Sequence, residues 1–201
     1  MSKQQNTIQT DQEANYDFRL PLITAADAGR GHRSRVYFSE YQADIFADIA
    51  RQRAPANSPV EDRTMRNHLL GVSTEVAVAT WCDGCINKQI YEEGGDGGID
   101  VTAPSKWGTG LDNYQVKATR DMENPERIVT EAELEAADYF VLCCTTAPRS
   151  FAEIVGYTNC EILKKVGKTY GENGYLLSPQ ILTPLLGKIF PPNDVRDAAL
   201  R

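Results

Sequence analysis

The sequence has no apolar run approaching the roughly 20 residues that cross a bilayer. Its opening residues, Met1 to Gln12, are polar and lack the apolar core of a signal peptide. No membrane association is expected, and the cytoplasm is the expected compartment. Histidine is scarce: His32 and His68 are the only two, too few for a histidine-based metal centre. The five cysteines, Cys82, Cys85, Cys143, Cys144 and Cys160, are an odd count in a chain of this size, which excludes a small disulfide scaffold. Cys82 and Cys85 form one C-x-x-C pair, half a zinc site, and free thiols are the simpler expectation. Neither an internal repeat nor a low-complexity tract is present.

Positive charge is also in short supply. The formal net charge of −7 argues against non-specific wrapping of nucleic acid, but it leaves room for a local basic cleft. Two local clusters are basic: Arg30, His32, Arg33 and Arg35, and Lys164, Lys165 and Lys168. The turn Glu92 to Gly98 holds four glycines but lacks the spacing and the Lys-Ser/Thr pair of a nucleotide-binding P-loop. Asp96 within it suits a turn.

With 201 residues the chain is long enough to bury one core. Residues 1–36 are polar and glycine-punctuated and are expected to form a flexible arm. Residues 37–190 make the single domain, and 191–201, beginning with Pro191-Pro192, a charged tail. Apolar residues at helical spacing (Tyr41, Ile45, Phe46, Ile49) predict a helix over Ser39 to Arg53, with Ser39 as its cap. A second helix is expected over Thr64 to Cys82, with Met65, Leu69, Val72 and Val76 as its stripe and Gly84 as its stop.

Strands are expected at Ile86 to Tyr91, Ile99 to Ala103 and Tyr114 to Thr119, joined as an antiparallel hairpin or meander. Thr130 to Glu133 has the pattern of a capping box. Tyr139 to Cys144 is continuously apolar, as in a strand covered on both faces, and Phe151 to Tyr157 reads as a further strand. A helix at 158–168 and a short apolar helix over Ile181 to Ile189 complete the expectation. This order predicts an α/β sandwich around a mixed sheet.

Strand alternation puts Gln115 and Lys117 on one side of their strand, and Asp100 and Thr102 on one side of theirs. If the two strands pair, Asp100, Gln115 and Lys117 share a face. Glu75 lies on the preceding helix with Gly71 and Ala79 one turn away, small residues that let a helix approach the sheet. Hard oxygen donors of this kind suit Mg²⁺ or Mn²⁺, and a nearby ammonium suits phosphodiester hydrolysis.

Glu75 in Gly71-Val72-Ser73-Thr74-Glu75, Asp100 in Gly97-Gly98-Ile99-Asp100-Val101, and Gln115-Val116-Lys117 together resemble the PD-(D/E)XK nuclease signature. The resemblance covers residues 64–157. It implies a restriction-endonuclease-like core of αβββαβ order in a metal-dependent deoxyribonuclease, carried by a phage or by a prokaryotic DNA-processing system. By that resemblance Asp100, Gln115, the Val116 carbonyl and Glu75 hold Mg²⁺ or Mn²⁺, and Lys117 is the catalytic lysine. DNA is the implied partner and a homodimer the implied assembly. Gln115 departs from the acidic residue of the pattern: it keeps an oxygen ligand but removes a charge. No proline precedes Asp100. Arg120, with Arg30, Arg33 and Arg35, is the candidate for phosphate contact. The alternative is a catalytically silent nuclease-like module that binds DNA or protein.

Overall fold

The computed structural model describes residues 33–53, 61–87, 99–105, 108–169, 174–185, 189–190 and 195. All belong to one unit, Gly31–Arg201. The glycine-rich turn with Asp96, and Arg30 and His32 of the N-terminal segment, lie outside the described residues.

Helix α1 spans Glu40–Arg53. Its start is a reciprocal cap. The Gln42 amide N–H donates to Ser39 Oγ (3.3 Å) and the Ser39 N–H donates to Gln42 Oε1 (2.8 Å), which satisfies two backbone donors at once. The stripe that is buried is Ala43, Phe46, Ala47 and Ala50. Tyr41, an expected core residue, is 70% exposed. Three alanines on the inner face let this helix lie close to its neighbour, and the larger Tyr41 is left outside.

Helix α2, Glu61–Cys82, starts three residues before the expected Thr64. From Leu70 to Ala79 it is covered on almost every side, which makes it the central helix of the domain. Its polar residues satisfy themselves within the helix. Ser73 Oγ donates to Leu70 O (3.0 Å), Thr74 Oγ1 to Leu70 O (2.9 Å) and Thr80 Oγ1 to Val76 O (2.8 Å). The helix ends in a Schellman-type turn: Asp83 takes φ 56°, and the Gly84 N–H donates to Ala79 O at 2.8 Å. Asp83, not Gly84, therefore takes the left-handed position. Gly84 is needed for a different reason, because a Cβ there would stand 2.8 Å from Thr102 O and 2.9 Å from the Ala103 Cβ.

The main sheet contains strands β1 (Ser34–Tyr37), β2 (Cys85–Ile86), β3 (Val101–Pro104), β4 (Leu111–Thr119), β6 (Tyr139–Cys144), β7 (Phe151–Asn159), β10 (Thr183–Pro184) and β11 (Ile189–Phe190). Its order is β11-β1-β7-β6-β4-β3-β2, with β10 also on β7. The β2-β3-β4 meander is antiparallel as expected, with Val101 opposite Tyr114 and Thr102 opposite Asn113. β4 and β6 run parallel, so the chain must cross over between them. It does so through β5 (Arg127–Thr130) and helix α3 (Glu131–Ala136), which opens with the expected capping box of Thr130 and Glu133. Helix α4 (Cys160–Val166), capped by Asn159, follows β7. Strands β8 (Lys168–Thr169) and β9 (Gly174–Leu177) join β5 in a small second sheet.

Alternation along β6 divides the core in two. Val141 and Cys143 join Phe46, Val72, Val76, Val101, Ala103 and Tyr114 beneath α1 and α2. Phe140, Leu142 and Cys144 join Val129, Leu134, Leu163 and Leu177 on the opposite side, beneath α3, α4 and the small sheet. The molecule is thus a mixed sheet flanked by helices on both faces, and β6 is buried on both sides as its apolar run requires.

Three expectations are corrected here. Ser34–Tyr37 is a sheet strand, not the end of an arm, since β1 pairs with β7 along its full length. Of the helix expected over Ile181 to Ile189, the described residues are not α-helical: a 3-10 turn at Pro179–Ile181 leads into β10, which pairs with β7, and Ile189 belongs to β11. The strand expected from Tyr114 begins at Leu111. In the expected C-terminal tail, Val195 is buried in the first core, and its carbonyl accepts from Gln42 Nε2 at 3.1 Å.

No helix among the described residues is long and apolar enough to cross a membrane.

Candidate functional site

Asp100 immediately precedes β3 and is buried, 4% exposed. Its N–H donates to Tyr114 O (2.9 Å), and its Oδ2 accepts from the Val116 N–H at 2.6 Å. The carboxylate is therefore held against the peptide that joins Gln115 to Val116. Burial pushes the Cys143 thiol well above its ordinary range, with the charges of Cys144 and Asp100 adding to the shift.

Gln115 is buried, 3% exposed, and its Oε1 has no hydrogen-bond partner among the described residues. A buried amide oxygen left in this way costs free energy, so its presence calls for a ligand or a reason. Gln115 and Lys117 fall on the same side of β4, as alternation requires. Their parallel register partners on β6 are Phe140 and Leu142, so this is the face beneath α3. The face is shared with apolar residues and is not a polar surface. Thr102 and Asn113 mark its outer edge, where Thr102 Oγ1 donates to Asn113 Oδ1 at 3.1 Å.

Lys117 Nζ forms an ion pair with Glu133 Oε1 on α3. The other oxygen of Glu133 accepts from the Thr130 N–H (2.9 Å) and from Thr130 Oγ1 (3.1 Å). One carboxylate thus closes the helix cap and holds the lysine. The capping pattern is visible in the sequence, but its second task is not.

Glu75 rides on α2, on the other side of the sheet. A Cβ at Gly71, one turn earlier, would stand 3.5 Å from Glu75 Oε1, an ordinary van der Waals contact. Arg53, the last residue of α1, reaches Glu75 with Nη1 at 2.8 Å from Oε1 and 2.7 Å from Oε2. Arg53 Nη2 donates to the Asn87 carbonyl at 2.6 Å. Asn87 in turn donates its N–H to Asp100 O (2.7 Å) and its Nδ2 to Ile99 O (3.0 Å). Glu75 and Asp100 are therefore linked through Arg53 and Asn87. Sequence reasoning missed both linking residues: Arg53 stands 22 positions from Glu75 and belongs to no motif with it. His68, two helical turns before Glu75 on α2, has its pKa lowered from 6.5 by partial burial and by the charge of Arg53.

Arg33 and Arg35 serve the protein's own frame. Both pair with the buried carboxylate of Glu153 on β7, and Arg33 Nη1 also donates to Met122 O at 2.7 Å. They tie β1 to the sheet and are not free to track a phosphate backbone. Arg120 is exposed and lies along α2, donating to Arg66 O (2.8 Å) and Asn67 Oδ1 (3.1 Å). Burial, and then the charge of Arg120, lower the pKa of Arg127, whose Nε donates to the Ala118 carbonyl on β4. Arg120 and Arg127 thus gather positive charge near the C-terminal end of β4.

None of the five cysteines, Cys82 and Cys85 included, is in a disulfide. Among the described residues no three of His, Cys, Asp and Glu are grouped to hold a metal ion. The expected oxygen set contains only two residues of those types, Glu75 and Asp100. Comparison with protein-family models, with curated proteins and with solved structures finds no match for the chain, so its own residues carry the functional reading.

Proposed function

We propose that the chain is a metal-dependent deoxyribonuclease of PD-(D/E)XK type, built on a restriction-endonuclease-like core. Support for the fold comes from the order α2, β2-β3-β4, α3, β6, with the first three strands antiparallel and β6 parallel to β4. The observation that carries the reading is the orphaned Oε1 of Gln115, whose own peptide to Val116 binds the Asp100 carboxylate. A buried carboxylate and a buried amide oxygen from adjoining strands are hard donors that fit Mg²⁺ or Mn²⁺.

In this reading Asp100, Gln115 and the Val116 carbonyl hold the cation, and Glu75, which α2 carries on the other face of the sheet, is the fourth ligand that the resemblance implies, tied to the Asp100 segment through Arg53 and Asn87. Such an ion, when bound, supplies Lewis acidity and a water of lowered pKa. The Lys117 ammonium orients that water or stabilises charge on the phosphoryl group, and Glu133 fixes where the ammonium waits. Arg120 and Arg127 receive the flanking phosphates as positioning contacts.

The test is Gln115→Met. Removing an unsatisfied oxygen from a buried position should leave the metal-free protein as stable as wild type or more so. It should also abolish stabilisation by Mg²⁺ in a thermal melt. Equal Mg²⁺ responses in the two proteins would refute the assignment of Gln115.

A catalytically silent nuclease-like module is the second reading. It draws on the neutralisation of Glu75 by Arg53 and of Lys117 by Glu133. Its signature is DNA or protein binding that is indifferent to Mg²⁺.

A further inference from the structure

We propose that Arg53 is an internal cation that competes with the divalent metal for Glu75, so that the site is closed by an arginine until metal draws the carboxylate away. The inference rests on the nuclease reading above. Four observations carry it. Both oxygens of Glu75 lie within hydrogen-bonding distance of one guanidinium nitrogen, at 2.8 and 2.7 Å. The pair is largely buried, with side chains 16% and 7% exposed, so water screens it weakly. The second nitrogen, Nη2, is fixed on the Asn87 carbonyl at 2.6 Å, which aims the guanidinium. Asn87 itself holds the main chain at Ile99 and Asp100.

A carboxylate held in this way cannot ligate a metal without giving up part of its bond to Arg53. A divalent cation placed beside Arg53 would also meet a like charge in a poorly screened place. The two cations are thus coupled with negative sign through Glu75, and the coupling is reciprocal. Arg53 is in this account a positioning residue: it holds Glu75 and, through Asn87, the segment that carries Asp100. Once displaced, its guanidinium is a planar donor suited to a phosphate oxygen.

The experiment is a titration with Mn²⁺ alone, followed by loss of the free-ion paramagnetic resonance signal. It uses wild type, Arg53→Gln, Arg53→Lys and Asp100→Asn at one ionic strength. Arg53→Gln is expected to bind Mn²⁺ about fivefold more tightly than wild type, or better, the lower end of ordinary coupling between two ligands. If that variant is unfolded by circular dichroism, Arg53→Lys decides. Its single ammonium cannot serve both Glu75 and the Asn87 carbonyl, and a gain of about twofold is expected. Wild-type affinity or weaker in the folded variant, with wild-type binding still dependent on Asp100, overturns the competition and leaves the nuclease reading standing. No Mn²⁺ binding by wild type, or equal binding by Asp100→Asn, overturns both.

Discussion

The carboxylate of Asp100 accepts a hydrogen bond from the backbone N–H of Val116 at 2.6 Å. That bond fixes an acidic side chain to the strand that carries Gln115 and Lys117, and it separates two roles that substitution can tell apart. Asp100→Asn keeps an oxygen for the Val116 N–H but loses the charge a cation needs. Asp100→Ala loses both and leaves a buried donor unpaired, at a cost of about 1–3 kcal/mol. Chemical denaturation should therefore rank wild type and the asparagine variant close together and the alanine variant below them. Mg²⁺-dependent cleavage should be lost in both variants.

Lys117 and Glu133 form a partly buried ion pair, and Glu133 keeps its bonds to Thr130 when the lysine is removed. Lys117→Ala should therefore cost no more than about 1 kcal/mol while abolishing cleavage. Glu133→Ala differs because it also removes the acceptor of the Thr130 N–H, and about 1 kcal/mol of stability should be lost with the cap. Denaturation of the two variants side by side checks the contrast.

His68 provides a pH test. Burial and the Arg53 charge hold its folded-state pKa below the ordinary 6.5, so the unfolded chain binds the proton more readily than the folded one. Stability from this source is complete above the ordinary imidazole pKa. It falls as the pH drops from there through the lowered folded value. Denaturation midpoints at a series of pH values should show this fall in wild type, and His68→Asn should flatten it.

The five thiols should divide by burial. Cys82, Cys143 and Cys144 are buried, whereas Cys85 and Cys160 are partly exposed. The Cys143 thiol is further disfavoured as a thiolate by burial and by nearby negative charge. Alkylation of the folded protein, read by mass spectrometry, should label Cys85 and Cys160 well before the other three.

Local chemistry explains which parts of the fold could be read from the sequence. Ser39 with Gln42, and Thr130 with Glu133, are caps whose partners lie three residues apart, so the sequence alone exposes them. The both-sided burial of Tyr139–Cys144 follows from an unbroken apolar run. β1 was hidden because its arginines read as a solvated basic arm, and only the distant Glu153 turns them inward. The face of Gln115 and Lys117 followed from alternation, but which layer covers it did not, since that depends on the parallel crossover to β6. Arg53 and Asn87 were illegible for the same reason: their partners are brought to them by tertiary packing.

The most direct measurement is DNA cleavage by the purified protein on linear, circular and branched substrates, with Mg²⁺, Mn²⁺ or chelator, beside Lys117→Ala and Asp100→Ala. The account predicts cleavage by wild type that requires the metal and disappears in both variants. No metal-dependent cleavage of any substrate by wild type, or full activity in both variants, would contradict it.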